Sequence, residues 1–371
     1  MKKKIVSLLL CVAMTATLFT GCGNSGNTDA GTAEEVVQST EAYDASAWKD
    51  IIDFGPAEGK EADDYAFAGV FGAINPFSDP FLGAGNTAAE ELGIPETKFD
   101  APKDWIQNDQ NTVLDGLIAK GLKGIYMMPS DPVAGNEQIS KMVDSGIPVV
   151  CVGGSPETPS KATLTLATDV YTAAYDGTVN LIKSMGEKGG IVGLNGAVTD
   201  TNTQLRMKAI EDACAEYPEV KLLQQIGDID NSEGSSTAIE NILAARGDEI
   251  SGFISTAYYP SVALATILAD EKYKDIHSVG CDADEAVLDA IRNGVMDGTM
   301  AQNPWGQAYL ATVTLKMLTD GWTYKDGEDF LVDSGSFFIN IDNVDSVEDT
   351  QKEATMKMAE TWTERFNPPA K

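Results

Sequence analysis

Residues 120–152 read KGLKGIYMMPSDPVAGNEQISKMVDSGIPVVCV, and this stretch decides the fold. Gly124 to Met128 is a short apolar run of strand character, closed by the turn formers Pro129-Ser130-Asp131-Pro132. A helix follows through Val143, ends before Gly146, and gives way to a second apolar run, Ile147 to Val152. Short apolar strands alternating with amphipathic helices at this spacing predict βα units on a parallel sheet.

The rhythm extends in both directions. Upstream, Phe67 to Ile74 forms a β-run with little charge, followed by the loop Asn75-Pro76-Phe77-Ser78-Asp79-Pro80. Phe81 to Leu92 has helical periodicity and stops at Gly93-Ile94-Pro95; Lys98 to Asp100 is a strand; Gln107 to Ala119 is a helix with Gly121 past its end as the C-terminal cap. Downstream, strands are predicted at Gly190–Leu194, Val220–Ile226, Gly252–Ser255 and Ile276–Cys281. Helices follow them at Asn202–Ala215, Ser235–Ala245, Ser261–Ala269 and Glu285–Arg292. Two successive doubly wound halves imply two Rossmann-like lobes, whose ligand sites lie beyond the carboxyl ends of the strands.

The N-terminus sets the compartment. Lys2, Lys3 and Lys4 precede an apolar run from Ile5 to Leu18, which ends at Phe19-Thr20-Gly21-Cys22. The run is too short for a lasting membrane span and reads as a signal peptide over residues 1–21. The small residue before Cys22 resembles a bacterial lipobox, which implies lipidation at Cys22, although Phe19 stands where Leu is usual. Residues 22–63, rich in Gly, Ser, Thr, Ala, Asp and Glu, are expected to form a flexible acidic tether. Trp48 to Phe54 could form one short helix, but plain linker is the preferred reading.

Composition removes several classes of function. A net charge of −31 disfavours nucleic acid, whose phosphates need Lys and Arg to displace counterions. Cys151, Cys214 and Cys281 are widely spaced and read as small core residues rather than a disulfide framework. No metal-ligand spacing is present, the one histidine, His277, sits in a predicted strand, and neither metal nor cofactor is expected. Gly83-Ala84-Gly85-Asn86-Thr87-Ala88 superficially fits a dinucleotide fingerprint, but its glycines fall inside a predicted helix. No GxSxG is found, and nothing marks an enzyme. Asp228, Asp230 and Ser232 hint at a calcium loop, but Glu233 replaces the required glycine and no closing Glu follows.

Six segments in order carry a more specific signal. They are Asn75-Pro76-Phe77, Pro129-Ser130-Asp131, Gly146-Ile147-Pro148-Val149, Gln204-Leu205-Arg206-Met207-Lys208, Val279-Gly280-Cys281-Asp282 and Ala301-Gln302-Asn303-Pro304. Together they resemble the ribose- and galactose-type sugar-binding proteins of the type I periplasmic-binding-protein fold. The resemblance covers about Ala66 to Phe338. It implies an α/β fold of two lobes with parallel sheets flanked by helices and three crossovers, near Asp169, Gln302 and Ser334. One lobe would comprise residues 64–168 plus 303–334, the other 169–302 plus 335–348, with a terminal helix and tail over 349–371.

The same resemblance implies the site. Asn75 and Phe77 match ligand contacts after the first strand, Asp282 a sugar-holding aspartate, and Gln302 a hinge-side glutamine. As a helix N-cap, Asp282 has an alternative role in the residues themselves. Tyr258 and Tyr259, with Trp105, are candidate aromatic platforms for the C–H face of a sugar. Asp200, Asn202 and Gln204 form a polar cluster, with Gln204 where ribose binders carry an arginine; Arg206 is assigned a structural role. After the fourth strand the family carries a charged pair, whereas this chain has Gly153-Gly154-Ser155, which predicts open space for a ligand other than ribose. Ser155 remains a candidate contact.

The expected function is capture of a sugar or similar small polar solute between two closing lobes. The expected partners are an ABC permease with its ATPase and, through the lipid, the outer face of the cell membrane; the protein is expected to be monomeric. The alternative is a sensor of the same fold reporting sugar or autoinducer-2 to a membrane receptor. Val198-Thr199-Asp200 and Asn202 resemble the autoinducer-2 binders.

Overall fold

The computed structural model describes residues 55–74 and 76–369. Cys22, the expected tether as far as residue 54, the Trp48–Phe54 segment and Asn75 lie outside the described residues; of the tether's described end, the Gly55 N–H donates to the carbonyl of Leu92 (2.7 Å). In the first sheet the order is β12-β5-β4-β3-β1-β2, formed by β1 (Phe67–Val70), β2 (Lys98–Asp100), β3 (Gly124–Met127), β4 (Val149–Val152), β5 (Thr165–Ala167) and β12 (Leu331–Asp333). All its pairings are parallel. Helices α1 (Asp79–Leu92), α2 (Gln107–Ala119) and α3 (Gly135–Asp144) link its early strands.

The second sheet has the order β13-β10-β9-β8-β6-β7. It comprises β6 (Gly189–Leu194), β7 (Val220–Ile226), β8 (Ile250–Ser255), β9 (His277–Cys281), β10 (Gly298–Gln302) and β13 (Ser336–Ile339). Only β13 runs antiparallel, against β10. Its connecting helices are α5 (Thr201–Ala215), α6 (Ser232–Arg246), α7 (Tyr258–Ile267) and α8 (Glu285–Arg292).

The chain passes between sheets where three strand ends meet. β5 leads through Thr168 and Asp169 into α4 (Val170–Ser184); β10 leads into α9 (Pro304–Thr319); β12 leads through Ser334 and Gly335 into β13. Polar side chains tie these passages together. Asn303 Nδ2 donates to the carbonyl of Ser334 (3.0 Å) and to Thr355 Oγ1 (3.0 Å), while Gln307 Nε2 donates to Ser334 Oγ (2.9 Å). Asp333 Oδ1 accepts from the backbone N–H groups of Asp169 and Gly335, both at 3.0 Å. The carboxyl ends of the parallel strands of both sheets therefore converge on one cleft.

Helix α9 is buried almost throughout, with every residue from Gly306 to Met317 inside. An element covered on all sides shows no amphipathic period, which explains why pattern reading leaves it unassigned. The same holds for the short buried strand β5. The strand begun at Phe67 ends at Val70 rather than Ile74, because the chain bends at Gly72 and leaves Ile74 exposed. Helix α10 (Val347–Trp362) starts against the second lobe through Val347 and ends in the core of the first, where Trp362 is 1% exposed. A small pairing of β11 (Thr323–Tyr324) with β14 (Phe366–Asn367) closes that end.

Candidate functional site

A pocket that opens to solvent lies on the second lobe beside the first crossing. Thr168 at the first crossing, Arg206 of α5, Ser255 and Thr256 after β8, Cys281 and Gln302 line it. These positions follow strands or open helices, where side chains are aimed outward from the sheet edge.

The centre of the site is built by one unusual backbone position. Asp282, directly after β9, adopts φ 66°, the left-handed region that Asp and Asn tolerate best among non-glycine residues. Its N–H donates to the carbonyl of Met300 (2.9 Å) and its carbonyl accepts from Thr299 Oγ1 (2.7 Å), which hold the turn. The carboxylate then accepts from Gln302 Nε2 at 2.7 Å. Burial pushes the Asp282 carboxyl above its usual range, opposed by the Gln302 hydrogen bond and by the Arg206 guanidinium. Asp230 is raised for the same first reason, again opposed by Arg206. Asp284, not Asp282, caps α8, accepting from the N–H of Ala286. Asp282 is thus free of the capping role open to it in the sequence.

Arg206 corrects the assignment of a purely structural role. Its side chain lines the cleft, and among the described residues it makes no hydrogen bond or ion pair. Thr168 Oγ1, on a residue only 5% exposed, likewise lacks a partner at the cleft, as does the buried Ser130 Oγ at the end of β3. Unsatisfied buried hydroxyls cost free energy unless something fills them, and a solute hydroxyl would do so. The signal available in the sequence was position, since Thr168 falls directly after β5 and Ser130 lies in the turn that closes β3.

The other expected contacts divide. Trp105 is 42% exposed at the mouth of the first lobe; its Nε1 donates to the carbonyl of Ser130 (3.0 Å), and its ring lies so close to Gly72 that a Cβ there would stand 2.6 Å from it. Phe77 packs edge-on against Phe81, with centroids 5.6 Å apart. Tyr258 donates its hydroxyl to Asp284 Oδ2 (2.5 Å) and meets Tyr259 edge-on; burial and that carboxylate raise its pKa. Tyr259 is 39% exposed. Asp200 caps α5 by accepting from the N–H groups of Asn202 and Thr203, and Asn202 is partly buried beside it. Gln204 is exposed and donates to the carbonyl of Val198. Ser155 turns back into its own lobe, donating to the carbonyl of Pro156 and meeting Thr165 Oγ1. The structure brings Asp282, Gln302 and Arg206 together; it leaves the side chains of Ser155, Asp200 and Gln204 engaged locally.

One further expectation is corrected. The space at Gly153-Gly154 is not open, because Met128 lies across both glycines: a Cβ at Gly153 would stand 2.9 Å from its sulfur. The Asp228–Ser232 segment, by contrast, is the loop and helix cap that its sequence reads as, with Asp228 Oδ1 accepting from the N–H of Val198 and Asn231 capping α6. Gly83 and Gly85 lie within α1, as the helical reading of that glycine-rich run requires.

Comparison with known proteins agrees with this architecture. Residues 70–322 match the family model described as periplasmic binding protein domain. The D-apiose import binding protein of Actinobacillus succinogenes is 29% identical over 71% of this chain and 86% of its own length. The xylitol-binding protein of Mycolicibacterium smegmatis is 26% identical over 52% of this chain and 55% of its own. Among solved structures, an ABC transporter solute binding protein from Burkholderia graminis in complex with D-arabinose superposes with a TM-score of 0.69 at 22% identity, covering 77% of this chain and 99% of that one.

Proposed function

The chain belongs to the periplasmic binding protein domain family and captures a solute for an ABC transporter, and we propose that this solute is a sugar or polyol. The observation that carries the proposal is the group of Asp282, Gln302 and Arg206 at the carboxyl ends of the second sheet, beside the pocket that Gln302 and Arg206 line. A polyhydroxylated ring or chain both donates and accepts along its rim. Asp282 supplies an acceptor, Gln302 an amide, and Arg206 a planar fork of donors that makes no hydrogen bond among the described residues. Aromatic cover comes from Trp105 and Phe77 on the facing lobe. Named relatives include importers of D-apiose and a binder of xylitol, which supports a five-carbon solute.

Binding is accompanied by closure of the lobes about the three crossings. A solute stabilises the closed state only through contacts it makes there and not in the open state, and a cleft with groups on both lobes supplies them. The loaded protein then presents the solute to a permease with its ATPase, held at the outer face of the membrane by lipid at Cys22. Autoinducer-2 sensing gains no specific support from the geometry.

Calorimetric titration and thermal shift of the full chain with D-apiose, D-arabinose, D-ribose and xylitol test this reading. Saturable binding by at least one, with a loss of at least tenfold in Arg206→Ala, is expected. A folded protein that binds none of them, nor any hexose, would overturn it.

A further inference from the structure

Helix α10 joins the two lobes apart from the strand passages. Val344, in the turn before it, and Val347, its first residue, lie in the core of the second lobe. Met356, Ala359 and Trp362 lie in the core of the first, followed by Phe366. The helix thus returns the chain from the second lobe to the first. Its 16 residues include neither proline nor glycine, so no kink is built into it, and they reach about 24 Å at about 1.5 Å per residue. It lies outside residues 70–322, the span that matches the family model.

The middle of this helix is bonded to the passage from β10 to α9. Gln351, 8% exposed, donates its Nε2 to the carbonyl of Gln302 at 2.6 Å. Asn303 Nδ2 donates to Thr355 Oγ1, one turn further on, and to the carbonyl of Ser334 in the passage from β12 to β13, both at 3.0 Å. The fit is close, since a Cβ at Gly306 would stand 2.2 Å from Thr355 Oγ1. Gln302 is therefore held from two sides. Its carbonyl takes the Gln351 amide, and its own side-chain amide donates to Asp282 Oδ1 (2.7 Å). The end of α10 in the first lobe is the firmer anchor: Trp362 Nε1 donates to Thr314 Oγ1 (3.1 Å), and β14 just beyond pairs with β11. The other end has Val344, Val347 and a solvent-exposed ion pair of Asp345 with Arg292. Gln351 is thus a donor carried by the first lobe that fixes the residue ending β10 of the second.

We propose that Gln351 is a positioning residue for solute capture: α10 is a stiff further link between the lobes, and through Gln351 it sets where the Gln302 side chain stands beside Asp282. This inference rests on the sugar-binding reading above and deepens it. A binding group is only as well placed as the hydrogen bonds behind it. Without the Gln351 amide the end of β10 gains freedom, and the solute must order the Gln302–Asp282 pair as it binds. The loss expected from one such bond is roughly threefold to tenfold in affinity.

The test is calorimetric titration of the full chain with whichever of D-apiose, D-arabinose, D-ribose and xylitol the wild type binds. It is run on Gln351→Ala, on Gln302→Ala and on the double variant. Gln351→Ala is expected to weaken affinity about threefold to tenfold when Gln302 is present, and by less than about twofold when it is not. The side-chain amide resonance of Gln302 in the sugar-free protein, assigned by its loss in Gln302→Ala, is expected to shift in Gln351→Ala. That resonance decides the coupling even where Gln302→Ala binds too weakly to titrate. A Gln351→Ala protein that melts lower yet binds as the wild type does, equal losses in both backgrounds, or an unmoved resonance would overturn the positioning role and leave sugar capture standing. A folded wild type that binds none of these solutes, nor any hexose, overturns the sugar reading itself.

Discussion

At Asp282, the proposed role in binding and the stability of the fold pull in opposite directions. Its carboxyl is raised by burial, so the charged form is the one the fold disfavours. The sign follows: stability associated with this group is full below its ordinary pKa of 3.8 and is lost as pH rises through the raised folded value. Asp282→Asn keeps the shape and tolerates the left-handed φ, and it removes that loss. The variant without sugar is expected to melt above the wild type at pH 7, the difference closing as the solution is acidified, while sugar affinity falls at least tenfold. Wild-type affinity should itself decline on acidification from a pH above the usual carboxylate range. Equal melting temperatures at pH 7, or unchanged affinity, would contradict this account. It is the common trade between a poised site and a stable one.

Helix α10 is the element whose sequence says least about its importance. It reads as a terminal helix of mixed packing, and Met356, Ala359 and Trp362 enter the core of the first lobe, with Phe366 just beyond. Trp362 also donates its Nε1 to Thr314 Oγ1 of the buried α9 (3.1 Å). Trp362→Ala is expected to lower stability by about 3–5 kcal/mol in chemical denaturation, the range for deleting a large buried aromatic. A cost under about 1 kcal/mol would show that the helix is dispensable. Periodicity alone could not reveal this, because three or four inward residues per helix do not name the surface that receives them.

Over the whole molecule, 57 acidic residues face 26 basic ones, leaving −31. Such an excess repels itself in the compact state. Raising sodium chloride from about 0.01 M to about 1 M shortens the screening length from about 30 Å to about 3 Å. The melting temperature of the sugar-free protein is expected to rise by several degrees over that range. A flat or falling profile would mean that the exposed ion pairs, such as those of Arg292 with Glu285, Asp289 and Asp345, outweigh the net repulsion.

Much of this was legible in order along the chain. Helices Gln107–Ala119 and Glu285–Arg292 and strand Val220–Ile226 were readable to the residue, because each has one wet and one dry face or clear stop signals. Gln302 and Asp282 were legible as a pair of polar residues placed directly after or at the ends of strands. The sequence by itself determined the α/β class and the two lobes, and pointed to the strand ends as the candidate site, since these follow from local periodicity and turn chemistry. Only the tertiary structure decided that Asp284 rather than Asp282 caps α8, that Arg206 reaches the cleft, and that Met128 closes the room left by two glycines. Those outcomes depend on which side chains from distant segments arrive at the same few ångströms, and spacing along a chain does not carry that information.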